Sequence, residues 1–136
     1  MKYLGLDLGT KTLGVSISDK TGVIASFYDS FRYSSEDELL DRIKSIVLKE
    51  EISKIVLGLP KNMNGSLGFR AQDTISFKER LESYVSIPVL LQDERLTTRV
   101  ATDVLINADL SRKKRKEVID GVSAVVILQS YLDRKE

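Results

Sequence analysis

The stretch "KYLGLDLGTKTLGVSISD", residues 2–19, decides the fold because large apolar residues recur at every second position on both sides of a short turn. Residues 2–8 are predicted to form a strand, and "GTK" a tight turn into a second strand that runs back beside the first. In the first strand the leucines occupy one face, and the other face carries Tyr3, Gly5, Asp7 and Gly9.

Asp7 is the one acid inside this apolar, glycine-rich run before Asp19 ends it. Burying an unpaired carboxylate costs several kcal/mol of folding free energy unless a cation or hydrogen bonds compensate its charge. Gly5 and Gly9 share the predicted face of Asp7, so little bulk surrounds the acid, as expected where a ligand or metal must reach a central strand. The alternative is an Asp that only stabilises a turn or caps a helix.

The rest of the chain alternates helix and strand. We first expect a strand over about residues 23–31, then a helix that begins at the capping box of Ser35 and Glu38, and then a buried strand over 54–60. A helix over about 70–84 and a buried strand in "IPVLLQDE" (87–94) follow. The chain then continues with a helical run in "LTTRVATDVLINA" (96–108), the basic segment "SRKKRKE" (111–117) and a last helix to about Leu132. Three meandering strands followed by alternating helices and strands predict an α/β fold. Its mixed five-stranded sheet is antiparallel at one side and parallel at the other, with helices on both faces. Residues 1–136 are expected to form one domain.

The composition restricts the chemistry. The 136 residues include 42% hydrophobic and 30% charged residues, typical of a soluble globular chain, and no apolar run approaches the roughly 20 residues that span a bilayer. The absence of Cys is consistent with a cytoplasmic protein. Because the chain also lacks His, catalysis by a thiol or an imidazole and the common zinc sites are excluded. Any catalysis must therefore use carboxylates, hydroxyls, Lys, Arg or a metal held by oxygen. A net charge of +1 does not decide whether the chain binds nucleic acid.

Two further acid positions fit a site with Asp7. Asp93 and Glu94 end a predicted buried strand, the edge at which open α/β sheets bind ligands. Neighbouring strand residues point to opposite faces, so one of the two faces the Asp7 site, and we favour Glu94. Asp120 is the one charged residue between Val118 and Leu132, on a helical stripe with small residues that permit close approach to the sheet. The alternatives are solvated acids at a strand end and near a helix start.

Three carboxylates in apolar settings suggest a shared cation. Two unit negative charges about 4 Å apart repel by about 4 kcal/mol at an effective dielectric near 20. Oxygen ligands favour Mg²⁺ or Mn²⁺, and a pair of such ions activates water for phosphodiester cleavage. Candidate phosphate-binding cations are Lys11, Arg70, Arg95 and the run "RKKRK" (112–116), which includes Lys113 and Arg115. Each is also compatible with an ordinary solvated surface cation.

Four motifs, in order and at matching spacing, are similar to those of the YqgF family, also called RuvX. They are "GLDLGTKTLGVSISD", "IVLGLPKNMNGSLGFRA", "DERLTT" and "VIDGVSAVVIL". The resemblance covers the whole chain and implies an RNase H-like fold, phosphodiester hydrolysis, and a metal-binding catalytic set of Asp7, Glu94 (with Asp93 second) and Asp120. It also implies maturation of the 5′ end of pre-16S ribosomal RNA in the cytoplasm, with structured RNA and ribosomal particles as partners. Phe69, where the family usually has Pro, and Ser123, where Ala is common, are departures from the pattern.

Three other functions compete with rRNA maturation. A nuclease of branched DNA, such as a Holliday junction resolvase, would use the same chemistry. An actin-like ATPase or sugar kinase is suggested by "GLDLGTKTLG", but such proteins enclose ATP between two domains of this kind, and 136 residues supply one. A non-catalytic RNA-binding module of ribosome assembly would keep the fold without the chemistry.

Overall fold

The computed structural model of the chain describes residues 1–9, 11–59, 69–93 and 112–134, and of residues 69–71, 93 and 112–121 it describes the backbone alone. The predicted loop 61–68 and the helical run 96–108 therefore lie outside the described residues. The described elements are β1 Tyr3–Leu8, β2 Thr12–Ser18, β3 Ala25–Arg32, α1 Glu36–Glu50, β4 Lys54–Leu59, α2 Phe69–Val85, β5 Val89–Asp93 and α3 Arg112–Arg134.

The strands form one sheet in the order β3-β2-β1-β4-β5. β2 pairs antiparallel with both β1 and β3, whereas β4 pairs parallel with both β1 and β5. The mixed five-stranded sheet predicted from the sequence is thus confirmed. Because β1, β4 and β5 are parallel, their carboxyl ends meet at one edge of the sheet, the edge at which open α/β sheets bind ligands.

Helices cover both faces of the sheet, as predicted. Residues of α1 and α2, among them Ile43, Phe77 and Leu81, pack against the leucine face of β1. On the other face, α3 contributes Ile127, Leu128 and Leu132 to a second cluster that includes Tyr3 of β1 and Val56 of β4. The period-two pattern of the opening stretch therefore assigned both faces of β1 correctly. Full burial of one such apolar side chain contributes about 1.5–3 kcal/mol to stability.

The start of α1 follows the sequence closely. Ser35 is the N-cap, and its side chain accepts a hydrogen bond of 3.2 Å from the amide of Glu38. The Glu38 carboxylate accepts from the amide of Ser34, one residue earlier than the N-cap amide of a standard capping box. The predicted cap is confirmed, with its reciprocal hydrogen bond shifted by one residue.

The last helix begins earlier than expected, because α3 starts at Arg112 and includes the basic run 112–116 that we expected to lead into it. Lys and Arg are good helix formers, so the run extends the helix in spite of the unfavourable helix dipole. Within the described residues, no helix combines the length and the apolar character needed to cross a membrane.

A carboxylate organises the turn between β2 and β3. Asp19 accepts a hydrogen bond from the hydroxyl of Thr21 and further bonds of 2.9 and 3.1 Å from the amides of Val23 and Ile24. These hydrogen bonds, led by that of Thr21, lower the pKa of Asp19 from 3.8 to about 2. Gly22, with φ of +71°, donates its amide to the Asp19 carbonyl and completes the turn.

The lowered pKa predicts how stability depends on pH at this turn. Since the charged form of Asp19 is favoured in the folded state, its contribution is complete above pH 4 and is lost as the pH falls from about 4 to about 2. Asp19→Asn should therefore lower the melting temperature at pH 7, and the difference from the parent chain should shrink over that window. Melting curves between pH 2 and 7 measure this, and a difference that stays constant with pH would contradict it.

Candidate functional site

Asp7 lies next to the carboxyl end of β1, the central strand, and its side chain is partly buried. Leu6 pairs with Leu57 of β4, so Asp7 and Gly58 are the next neighbours along these two strands. Gly58 in turn pairs with Gln92 of β5. Asp7, Gly58 and Gln92 thus form one row across the parallel part of the sheet.

This row faces α3. On β1, the Tyr3 ring lies 5.8 Å from that of Tyr131, and a Cβ placed on Gly5 would lie 2.7 Å from the Cβ of Leu128. Because strand residues alternate between faces, Asp7 shares the face of Tyr3 and Gly5. The contacts also give the direction of α3, which runs antiparallel to β1, so that its earlier residues lie toward the Asp7 end.

A buried hydroxyl fixes α3 against β1. Ser16 pairs with Gly5 across the β1–β2 ladder, and its Oγ donates a 2.7 Å hydrogen bond to the carbonyl of Ala124 in α3. The same Oγ lies 2.3 Å from the position of a Cβ on Gly5, so the missing side chain of Gly5 makes room for it. The small residues Ser123 and Ala124 are fully buried, as expected for close approach of this helix.

The turn that follows Asp7 is held by backbone hydrogen bonds. The amide of Gly9 donates to the carbonyl of Thr12 at 2.8 Å, and the Tyr33 hydroxyl donates to the Gly9 carbonyl at 2.7 Å. The amide of Tyr33 also donates to the carbonyl of Lys11 at 3.1 Å. The chain leaving Asp7 is thus fixed to the end of β3, and Lys11 is exposed on this turn, at the same edge of the sheet.

The other predicted site residues are described only in part. Asp93 is the last residue of β5, and Asp120 lies within α3 on the side of Ala124 toward the Asp7 end. Glu94 and Arg95 lie outside the described residues. In the described helices, Arg70 falls in the first turn of α2, and Lys113 and Arg115 in the first turn of α3. Among the side chains that the structure describes, no three acids lie close enough together to hold a metal. The side chains of Glu94 and Asp120 are not among the described ones.

Sequence reasoning missed Gln92 and Gly58. Gln92 is 4% exposed, and its Oε1 has no hydrogen-bond partner in the described part of the chain. The one available signal was local, since the polar Gln92 directly follows the apolar run "IPVLL" (87–91) and Gly58 interrupts the apolar strand 54–59. Ser16 and Tyr33, which hold α3 and the turn, were also missed.

A groove of about 620 Å³ opens on the other face, with Leu8, Leu39 and Phe77 among the residues that line it. Its rim includes Arg80, which pairs with Glu36 at 2.6 Å. Since Asp7 faces α3, this groove is not the site at which Asp7 would act.

Two solved structures share the fold of this chain. The chain superposes on Thermus thermophilus RuvC, solved in complex with a Holliday junction substrate, with a TM-score of 0.62 and 12% identity over 97% of this chain and 94% of that one. For the Fowlpox virus resolvase, solved with Holliday junction DNA, the TM-score is 0.61 at 14% identity, covering 98% and 97%. At such low identity these likenesses show the fold alone, the RNase H-like fold of resolvases.

The family follows from sequence. Residues 1–134 match the family described as "RuvX: Holliday junction resolvase". A protein of Geobacillus sp. (strain WCH70), described as "Putative pre-16S rRNA nuclease", is 52% identical over 138 residues, covering 100% of both chains. This chain belongs to the RuvX family, as the motifs predicted, and is a nuclease, a hydrolase of phosphodiester bonds. Membership decides against the ATPase alternative.

Proposed function

We propose that this nuclease is divalent-metal dependent and matures the 5′ end of pre-16S rRNA in the cytoplasm, with Asp7, Glu94 and Asp120 as its catalytic, metal-binding set. The observation that carries the proposal is the position of Asp7, on the central strand at the carboxyl edge and on the face that α3 covers. The name of the Geobacillus relative supports the substrate.

Helix register supports Asp120. Gly5 meets α3 at Ala124 and Leu128, whereas Tyr3 meets it at Tyr131. From Gly5 to Asp7 the strand advances about 6.7 Å, and four residues of a helix advance about 6 Å. Moving from Gly5 to Asp7 along β1 therefore covers about the same distance as moving from Ala124 to Asp120 along α3. In this proposal Asp120 lies opposite Asp7 for that reason.

Strand alternation supports Glu94 over Asp93. Leu91 packs with the α1 and α2 cluster, and the pairing of Gly58 with Gln92 aligns Gln92 with the Asp7 row. In this proposal the alternation continues one residue beyond β5, so that Glu94 faces the Asp7 side and Asp93 the other. In this proposal Asp93 is the second choice as a ligand.

The donor set fits Mg²⁺ or Mn²⁺. Asp7 and Gln92 offer hard oxygen atoms in their row, and the chain contains no Cys or His that would favour zinc. When bound, such an ion supplies an activated water and neutralises charge on the leaving oxygen. The carboxylates of Asp7, Glu94 and Asp120 would hold the ion, and the anchored helix and turn would keep their spacing.

Cations near the same edge support nucleic-acid binding. Lys11 is exposed on the turn after β1, and in this proposal it orients phosphate groups together with Arg70 and Arg95. Residue 112 precedes Ala124 by twelve positions, about 18 Å of helix, whereas β1 extends about 10 Å beyond Gly5, so the start of α3 projects past the sheet edge. Lys113 and Arg115 would contact the sugar-phosphate backbone there, and binding should weaken steeply with salt.

Cleavage by the purified protein tests the proposal. The substrates are a pre-16S 5′ fragment and a four-way DNA junction, each incubated with Mn²⁺, Mg²⁺ or EDTA. We expect cleavage of the RNA that requires the metal, with the junction left intact. Cleavage of the junction alone would favour the resolvase function named in the description of the RuvX family. RNA binding without cleavage under any metal would favour the non-catalytic ribosome-assembly module.

A further inference from the structure

Apolar packing does not explain why the polar side chain of Gln92 is buried. Its side chain is 4% exposed, and its Oε1 accepts no hydrogen bond within the described residues. Buried amide oxygens are nearly always paired, because an unpaired one loses its hydration and receives nothing in return. Such an atom in a native protein indicates a partner outside the described residues, and an ion or an ordered water molecule is a common one.

The position of Gln92 is close to that of Asp7 in the sheet. Gln92 lies in the same row as Asp7, with Gly58 between them. Two strand spacings of about 4.8 Å separate the backbones of Asp7 and Gln92, and Gly58 adds no side chain to the space between them. The acid and the amide thus lie on the same face of the sheet, the one covered by α3, with no side chain between them in the row.

The chemistry of an amide suits a metal site that Asp7 shares. An amide oxygen is a hard ligand for Mg²⁺ or Mn²⁺ and also an acceptor for metal-bound water. Unlike another carboxylate, it adds no negative charge beside Asp7, so it does not increase the repulsion between ligands.

We propose that Gln92 contributes its Oε1 to the divalent-ion site of Asp7, directly or through a metal-bound water. This inference rests on the proposed metal-dependent function and adds a fourth residue to the three acids. It explains why a polar side chain occupies a buried position in β5, opposite a glycine.

Gln92→Met tests the proposal, because Met keeps the length of the side chain and removes the oxygen. Calorimetry without nucleic acid should show the dissociation constant for Mn²⁺ rising about 10- to 100-fold. The metal-free melting temperature should stay the same or rise, because an unpaired buried polar atom has been removed. A residue that only supports the fold would not give weaker Mn²⁺ binding together with an equal or higher melting temperature. An unchanged dissociation constant would overturn the proposal.

Two further variants sharpen the test. Gln92→Glu retains an oxygen and adds charge, so it should bind Mn²⁺ at least as tightly as the parent chain; weaker binding would also overturn the proposal. Gln129→Met is the matched control, since the Gln129 amide is paired, with bonds of 2.9 Å to the Val23 carbonyl and the Ala25 amide. It should lower the melting temperature and leave Mn²⁺ affinity unchanged.

The outcomes separate this inference from the proposed function. If the parent chain binds Mn²⁺ and Asp7→Asn loses it while Gln92→Met does not, only the role of Gln92 is wrong. If the parent chain binds neither Mn²⁺ nor Mg²⁺, both proposals fail together.

Discussion

Asp7→Asn is expected to reduce phosphodiester cleavage by at least about a hundred- to thousandfold, the range seen when one electrostatic group of an active site is removed. Asn preserves the size of the side chain but loses the negative charge with which Asp7 would bind a divalent ion. Single-turnover cleavage of the pre-16S fragment in Mn²⁺ measures the loss. The melting temperature should change by only a few degrees, because the substitution is close to isosteric at a partly buried position.

The control is the same substitution at another acid of the sheet. Asp29 lies on β3, the edge strand, where its side chain accepts from the amide of Ser30 and lies 4.0 Å from Arg42. Asp29→Asn should therefore leave cleavage unchanged. Cleavage by Asp7→Asn at the rate of Asp29→Asn, in saturating Mn²⁺, would end the assignment of Asp7 as a metal ligand.

Local patterns were enough to predict the elements around Asp7. The alternation in residues 2–8 assigned the faces of β1, because side-chain direction in a strand depends only on position along it. The cap at Ser35 was predictable for the same reason, since its hydrogen bond joins residues three apart. The match to the RuvX family over residues 1–134 confirms what the four motifs implied.

The site itself depends on contacts that no local pattern encodes. Gln92 joins the row of Asp7 only through the register of two strand pairs, and register across a parallel sheet is fixed by packing. The bond from Ser16 to Ala124 joins residues 108 apart. The roles of Asp7, Glu94 and Asp120, and the single domain over residues 1–136, stay predictions.

Gly5→Ala is expected to destabilise the protein by about 1–3 kcal/mol, the usual cost of overpacking a core. The new Cβ would lie 2.3 Å from Ser16 Oγ, 2.7 Å from the Cβ of Leu128 and 3.1 Å from the carbonyl oxygen of Ala124. Ser16 must then rotate and lose its bond to α3, and the helix must move away from β1. Urea denaturation measures the free energy of unfolding, with the slope m expected to stay unchanged.

Because α3 carries Asp120, the same substitution should slow cleavage as well, by about ten- to a hundredfold if the acids move apart by up to 1 Å. Gly22→Ala is the matched control. Gly22 has φ of +71°, where an Ala costs about 1–2 kcal/mol, and it lies in the turn between β2 and β3, away from the Asp7 edge. If Gly22→Ala loses as much stability as Gly5→Ala but cleaves normally, the slower cleavage of Gly5→Ala comes from the altered position of α3 and not from lower stability.

Ser16→Ala in the Gly5→Ala background identifies the contact responsible. The second change removes the Oγ that collides with the new Cβ, so the double variant should be less destabilised than the sum of the two single variants. The rescue should be partial, because the contact of the new Cβ with Leu128 remains. Strict additivity would mean that Ser16 and Gly5 act separately on α3, and the helix would then be positioned by the apolar contacts of Leu128 and Ile127 alone.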